Sequence, residues 1–472
     1  MDMELLSLQY LLFIFLLSLF LYIYFNTSQL KPTNNNKGFK SYPLVGCLPE
    51  FLRHRYRFLD WTTEVLSECP NNTAVFLRPG KFHGIMTANP ANVEYTLKTN
   101  FENYPKGDKF LIILQDFLGQ GIFNSDGELW KVQRKTASYE FSTKSLRNFV
   151  MDNVRAELST RLVPILKRAS RTQAVMDLQD VLERFAFDNI CKVAFNFDPG
   201  CLSGDATAGA GFMRAFEDAT THSSDNIIKT RMETRTEEKD EDLLSRFIRN
   251  GENSPGFLRD IIVSFILAGR DTTSSALSWF FWLLSHNPEV EQKILNELEM
   301  IRTRYGKKVG DTYGFDELRD MHYLQAAISE SLRLYPPVPV DTKDCLKDDI
   351  LPDDTFIGKG WFITYNAYAM GRMESIWGTN CHEYLPERWL ENGIYRPENS
   401  FRFPVFHAGP RICLGKDMAY IQMKSIAASV LETFQIEVQN KDKCIEHLLS
   451  LTLRIKGGLH VKLKERSVEV MN

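Results

Sequence analysis

Phe406-His407-Ala408-Gly409-Pro410-Arg411-Ile412-Cys413-Leu414-Gly415 sets one cysteine between two glycines, and Ala419 follows it on a helical run to Phe434. Gly409 and Gly415 permit tight turns that aim backbone N–H groups. A helix beginning near Leu414 brings the positive end of its dipole close to the Cys413 sulfur. The chain has eight cysteines with no CxxC spacing and no dense framework, so they read as reduced thiols and not as disulfides. A cysteine taken singly is most simply an inert buried thiol. The pattern around Cys413 sets it apart.

Upstream, Phe257 to Ser285 is a near-continuous helical stretch of 29 residues, about 43 Å long. Ala268-Gly269-Arg270-Asp271-Thr272-Thr273 sits at its middle, with Ala268 one turn before Thr272 on the same side. Mid-helix Asp and Thr compete for backbone hydrogen bonds and are poor choices on propensity. Glu330-Ser331-Leu332-Arg333 puts an acid and a base on one helical face, a pattern that alone describes a surface ion pair. Pro386-Glu387-Arg388-Trp389 supplies another arginine, and Trp130-Lys131-Val132-Gln133-Arg134 sets a Trp and an Arg one turn apart.

Together these segments resemble the cytochromes P-450, the haem-thiolate monooxygenases. Phe406, Gly409, Arg411, Cys413 and Gly415 match the signature F-x-x-G-x-R-x-C-x-G. Five fixed residues at these spacings arise by chance with a probability on the order of 10⁻⁴ in a chain this long. The resemblance implies that Cys413 is the axial ligand to the iron of haem b, where a thiolate pushes electron density through the metal and favours O–O cleavage. Backbone N–H groups would temper the sulfur's charge. Arg411, and Trp130 with Arg134 in a W-x-x-x-R helix, are the implied partners of the haem propionates. Ala268 and Gly269 would let the long helix approach the flat cofactor and leave space for oxygen. Asp271 and Thr272 are the implied catalytic pair, Thr272 steadying the oxygen species and Asp271 relaying protons. Glu330, Arg333 and Arg388 form the implied structural network that locks the core presenting the haem loop.

These motifs lie in family order and converge on one cofactor, so residues 51–472 are expected to be one catalytic domain. The implied fold is mainly α with a small β region, the cytochrome P-450 fold. No glycine-rich dinucleotide loop is visible, which puts NADPH on a partner, the NADPH-cytochrome P-450 reductase. Thr73–Pro79 and Gly84–Thr87 read as a hairpin, Pro90 opens a helix through Thr99, and amphipathic stretches lie near 143–168 and 178–195. A net charge of −4 offers no dominant basic field for nucleic acid, and no such partner is expected.

At the N-terminus, Leu5 to Phe25 is a run of 21 residues without a charge, long enough to cross a hydrocarbon core of roughly 30 Å. Acidic Asp2 and Glu4 precede it and Tyr24-Phe25-Asn26 ends it, which does not fit a cleaved signal peptide. Residues 1–26 are therefore expected to be an uncleaved anchor, a single transmembrane helix in the endoplasmic reticulum bilayer. Lys31, Lys37 and Lys40 place the rest on the cytosolic side, where the sequons at Asn26 and Asn71 go unused. Residues 27–50, with an Asn34-Asn35-Asn36 tract and three prolines, read as a linker.

A narrower resemblance rests on Gly121-Ile122-Phe123-Asn124 with Asp126-Gly127, Leu178 to Phe185, Tyr368 to Met373, and Asp349 with Leu351-Pro352-Asp353. These look like the plant family whose members ω-hydroxylate fatty acids, some of which oxidise jasmonoyl-isoleucine. The implied reaction is hydroxylation of the terminal carbon of a fatty acid with O2 and electrons from NADPH. Oxidation of the hormone conjugate or of a sterol side chain is the alternative. The implied pocket draws on Phe110 to Phe117, Ile266, Val338 to Val340 and Leu451 to Leu453, an apolar set suited to an alkyl chain. In this family two helices and their loop roof the pocket, which takes roughly 40 residues. Only residues 218–241 remain for them here, so the roof is expected to be truncated. A haem-binding chain without productive turnover is the rival reading from another class.

Overall fold

The computed structural model describes residues 10, 12–19, 38–42, 45–79, 82–203, 242–249, 254–439, 441 and 445–466. It is mostly helical with small sheets, and divides into two compact units. One comprises Met1–Tyr104 with Val340–Met373, the other Pro105–Pro339 with Glu374–Asn472.

The first unit is built on a four-stranded sheet of β1 (Thr73–Arg78), β2 (Phe82–Thr87), β3 (Val340–Asp344) and β4 (Phe362–Asn366), in the order β1-β2-β4-β3. The expected hairpin is β1 with β2, paired antiparallel from Thr73 opposite Thr87. β2 and β4 run parallel, and β3 closes the far edge antiparallel. The helix Phe58–Glu68 is tied to the end of β4 through Asn366, whose amide donates to Thr62 Oγ1 at 3.0 Å. Phe39, Phe51, Trp61 and Phe76 pack edge-on and tilted around it, with centroids 5.2–5.6 Å apart, a geometry that aromatic quadrupoles favour. The helix expected from Pro90 to Thr99 runs as Pro90–Glu94 and then as a π turn over Tyr95–Thr99.

The second unit holds the long helices: α1 (Asp108–Leu118), α2 (Gly127–Phe141), α3 (Leu178–Phe195), α4 (Pro255–His286), α5 (His322–Leu334) and α6 (Lys416–Thr433). α4 starts with Ser254 accepting from the Phe257 N–H and with Pro255 in its first turn, and it stops before Pro288. Its apolar residues run round the whole circumference, which is why most of its length is buried. α3 begins on the Asp177 carboxylate and ends on Asn196 at φ 53°, a left-handed cap. The stretch expected near 143–168 is two helices, Lys144–Glu157 and Val163–Thr172, joined through a π turn at Leu158–Leu162.

The helix expected near Leu414 starts instead at Lys416, because Leu414 and Gly415 belong to the turn that carries the cysteine and Gly415 is the capping residue. Leu5–Phe25 lies largely outside the described residues and 218–241 wholly so. Among the described residues no helix is long and apolar enough to cross a membrane.

Candidate functional site

α4 is buried at both flanks and open in the middle. Ile261–Ile266 and Thr273–Phe281 are buried, whereas Leu267, Ala268, Gly269, Asp271 and Thr272 are half-exposed. The Thr272 hydroxyl donates to the Ala268 carbonyl one turn back at 2.6 Å, so a polar residue inside a helix is satisfied without leaving it. Asp271 pairs with Arg270, Nε to Oδ1, at 3.1 Å. Burial pushes its carboxyl up from the usual carboxylate range, against the pull of the Arg270 and Arg454 guanidiniums. Gly269 lies against α3. A Cβ there would lie 2.6 Å from Ile190 Cδ1 of α3, so its small size accommodates a helix–helix contact.

The cysteine loop is a pair of tight turns closed by short hydrogen bonds. The Cys413 N–H donates to the Phe406 carbonyl at 2.8 Å, and the Ile412 N–H to Gly409 at 3.1 Å. Gly409 sits at φ +65°, where a side chain is strained, so that glycine is required by the backbone. Gly415 is at φ −85°, an ordinary value, so its backbone does not require glycine. A Cβ on it would lie 3.9 Å from both Cys413 Sγ and the Phe141 ring. His407 is the unexpected member. At φ 60° and ψ −175° it occupies a region that is essentially reserved for glycine.

Cys413 is exposed, whereas Cys47, Cys69, Cys191, Cys345 and Cys381 are buried and Cys201 is half-buried. The residue is exposed, yet protein packs closely around its sulfur. That enclosure pushes the thiol up, while the Gly415 N–H, Arg134 and Lys416 act to lower it. α2 presents three side chains to this loop at positions that fall on one helical face. Trp130 lies under the Arg411 guanidinium, 4.3 Å from the ring centroid. Arg134, one turn on, acts electrostatically on Cys413. Phe141 reaches Gly415 and packs at a tilt on Phe265 of α4, with centroids 5.2 Å apart, linking the loop to the helix that carries Ala268. Arg411 itself donates to Asp126 Oδ1 at 2.5 Å and to the Ser125 carbonyl at 3.0 Å. The Phe406 ring packs on Tyr420 at 5.4 Å.

Glu330, Arg333 and Arg388 are brought into one buried cluster. Glu330 accepts from Arg333 Nε and Nη2 at 2.8 Å each, from Arg388 Nε at 2.9 Å, from Trp389 Nε1 at 2.8 Å and from the Leu385 N–H at 3.0 Å. Arg333 also donates to the Cys381 and Glu383 carbonyls. Both Glu330 and Arg333 side chains are completely buried. An ion pair taken out of water needs this degree of hydrogen bonding to be tolerated.

Sequence reasoning missed Phe141, the Asp126 partner of Arg411 and the strained His407. Phe141 alone carried a local signal, since it lies seven residues beyond Arg134 on the same helical face.

The family model described as Cytochrome P450 matches residues 37–221 and 208–461. The chain is 49% identical to Cytochrome P450 CYP94D108 of Paris polyphylla over 474 aligned positions, covering 93% of each. It is 42% identical to Cytochrome P450 94A1 of Vicia sativa, covering 90% of each, and 41% identical to Cytochrome P450 94B3 of Arabidopsis thaliana, covering 98% of each.

Proposed function

We propose, from the premise that this chain belongs to the cytochrome P450 family of haem-thiolate monooxygenases, that it hydroxylates the terminal carbon of a fatty acid at the endoplasmic reticulum membrane. The observation that carries a haem-based reading is the exposed Cys413 thiol at the end of a glycine-turned loop. It stands beside one face of α2, and Phe141 of that helix packs on Phe265 of α4, two residues before the open stretch that begins at Leu267. These residues fit a haem: an exposed cysteine as ligand, with Arg134 and Arg411 as cations for an anionic rim. Bound there, the haem supplies oxygen activation with electrons passed from a reductase.

The chain's own residues do the rest. The Gly415 N–H and the Arg134 guanidinium favour the anionic sulfur. Arg411, held in place by Asp126 and Trp130, would turn its remaining donors to a propionate. Thr272 and Asp271 would orient and deliver protons, a role supported by their position on the open stretch of α4. The Glu330 cluster holds the chain that leads toward the cysteine loop.

An apolar substrate is supported by α1, where Ile112, Ile113 and Phe117 are 69%, 78% and 41% exposed. A chain end admitted past such a surface is positioned for attack by exclusion of its inner carbons. The short stretch 218–241 supports a second reading, a chain that binds haem without productive turnover because its roof is truncated. The first relative aligns over 474 positions, yet 93% of 472 residues is about 439, which leaves about 35 positions without a counterpart here. The two segments matched by the family model overlap at residues 208–221, next to the short stretch, which supports a shortening there.

Titration of the purified protein with fatty acids, read in the haem absorption spectrum, tests the substrate. A saturable shift with efficient product formation supports ω-hydroxylation. Haem binding without either supports the second reading. Cys413→Ala is expected to abolish the red-shifted Soret band of the ferrous carbon-monoxide complex, and a retained band would remove Cys413 as ligand. Deleting residues 1–26 is expected to release much of the protein from membranes with the haem spectrum intact.

A further inference from the structure

Behind the open stretch of α4 lies a charged cluster that the haem site does not use. Arg454 stands on β5 (Leu453–Ile455), a strand clamped to two helices at once. The Leu453 carbonyl accepts from Ser275 Oγ at 2.6 Å and from Trp279 Nε1 at 2.9 Å, both on α4. The Ile455 N–H donates to Gln179 Oε1 at 2.9 Å, and Gln179 Nε2 returns a bond to the Ile455 carbonyl at 3.2 Å, on α3. Helical spacing then decides what flanks Arg454. Asp271 lies one turn before Ser275 on the stripe of α4 that holds the strand, and Glu183 one turn after Gln179 on the stripe of α3 that does the same. Arg454 pairs with Glu183 at 2.5 Å, and Glu183 is 7% exposed.

We propose that Glu183 is a positioning residue for Asp271: through the shared guanidiniums of Arg454 and Arg270, its charge governs whether the Asp271 carboxyl holds a proton. Glu183 pairs with Arg454 and Asp271 with Arg270, and each guanidinium also acts electrostatically on the other carboxylate. While Glu183 is ionised it retains Arg454 and adds a like charge near Asp271, both of which favour a proton on Asp271. When Glu183 is neutral, Arg454 is free to serve Asp271 and the proton leaves. Burial supports this role by pushing Glu183 up to about 7, against Arg454 and Arg270 and with Asp271. Other charges on α3 and its neighbours form pairs of their own, Arg184 with Asp180 at 2.6 Å, Arg161 with Glu157, Asp188 and Asp198, and Arg246 with Glu140, while Asp177 caps the start of α3 and Lys192 stands in its last turn. This inference rests on Asp271 as the proton-delivering carboxyl.

The test is a pair of variants expected to move one quantity in opposite directions. In the haem-loaded protein, the pH midpoint of the Asp271 carboxyl is followed by its infrared carbonyl band, identified by its loss in Asp271→Asn. Product formed per NADPH is measured against pH alongside. Glu183→Gln is expected to lower the midpoint and Arg454→Gln to raise it, each by about one pH unit. A merely structural role would not separate the two in sign, and shifts in the same direction, or none, overturn the proposal. Should Glu183→Gln not fold, Arg454→Gln decides alone, since its side chain is 39% exposed: an upward shift supports the link and an unmoved band refutes it. If Asp271→Asn leaves coupling intact, the proton-delivery reading fails, while the infrared arm still reports whether Glu183 and Asp271 are linked.

Discussion

Glu330 and Asp271 are both carboxylates set beside arginines in the second unit, and the molecule treats them oppositely. Glu330 has two arginines, an indole and a backbone N–H gathered on it at 2.8–3.0 Å, with no exposure of its side chain. Asp271 has one arginine at 3.1 Å, keeps 19% of its side chain exposed, and is raised by burial beyond what its cations offset. A saturated carboxylate has no capacity left for chemistry and serves to fix geometry. An under-supplied one beside an open surface is where protons can be gained and lost.

Breaking the saturated cluster is expected to have the largest effect. Glu330→Ala leaves Arg333 buried without its counter-charge, and a loss of about 3–5 kcal/mol is expected in denaturant unfolding. If Glu330→Ala costs no more than a surface substitution, the contrast with Asp271 collapses. Thr272→Ala and Asp271→Asn should behave in reverse. Haem and substrate binding persist, product turnover falls by about 10²-fold, and the reducing equivalents appear as peroxide. Because burial raises the Asp271 carboxyl, the stability of its neutral form is present at low pH and is lost as pH rises through that raised value. Asp271→Asn should flatten that limb of the thermal midpoint against pH.

Two smaller tests concern backbone and packing around the open region. Gly269→Ala drives a methyl group into Ile190 and is expected to cost about 1–3 kcal/mol, with Ile190→Val restoring part of it. An unchanged midpoint in Gly269→Ala would mean that α3 yields freely. His407→Gly relieves a conformation that side chains rarely adopt and is expected to stabilise the protein by about 1 kcal/mol, read in the same unfolding assay. A loss instead would show that the His407 side chain contributes more than its backbone strain costs.

Much of the site was legible in order along the chain because its logic is local. A cysteine in a ten-residue turn, an acid and a base three apart, and a tryptophan and an arginine four apart are each placed by one turn or one helix, so residue type and spacing suffice. The length of α4 and the burial of its two flanks follow likewise from apolar runs on either side of Arg270-Asp271-Thr272. Tertiary structure alone decided that Arg411 is held by Asp126 across 285 residues, and that Arg454 on a strand joins Glu183 across 271. It also decided that Gly269 answers to Ile190 of another helix, and that His407 takes a backbone angle its side chain opposes. Such pairings leave no period in the sequence, because they are fixed when separate elements pack and their polar groups must find partners once water is excluded.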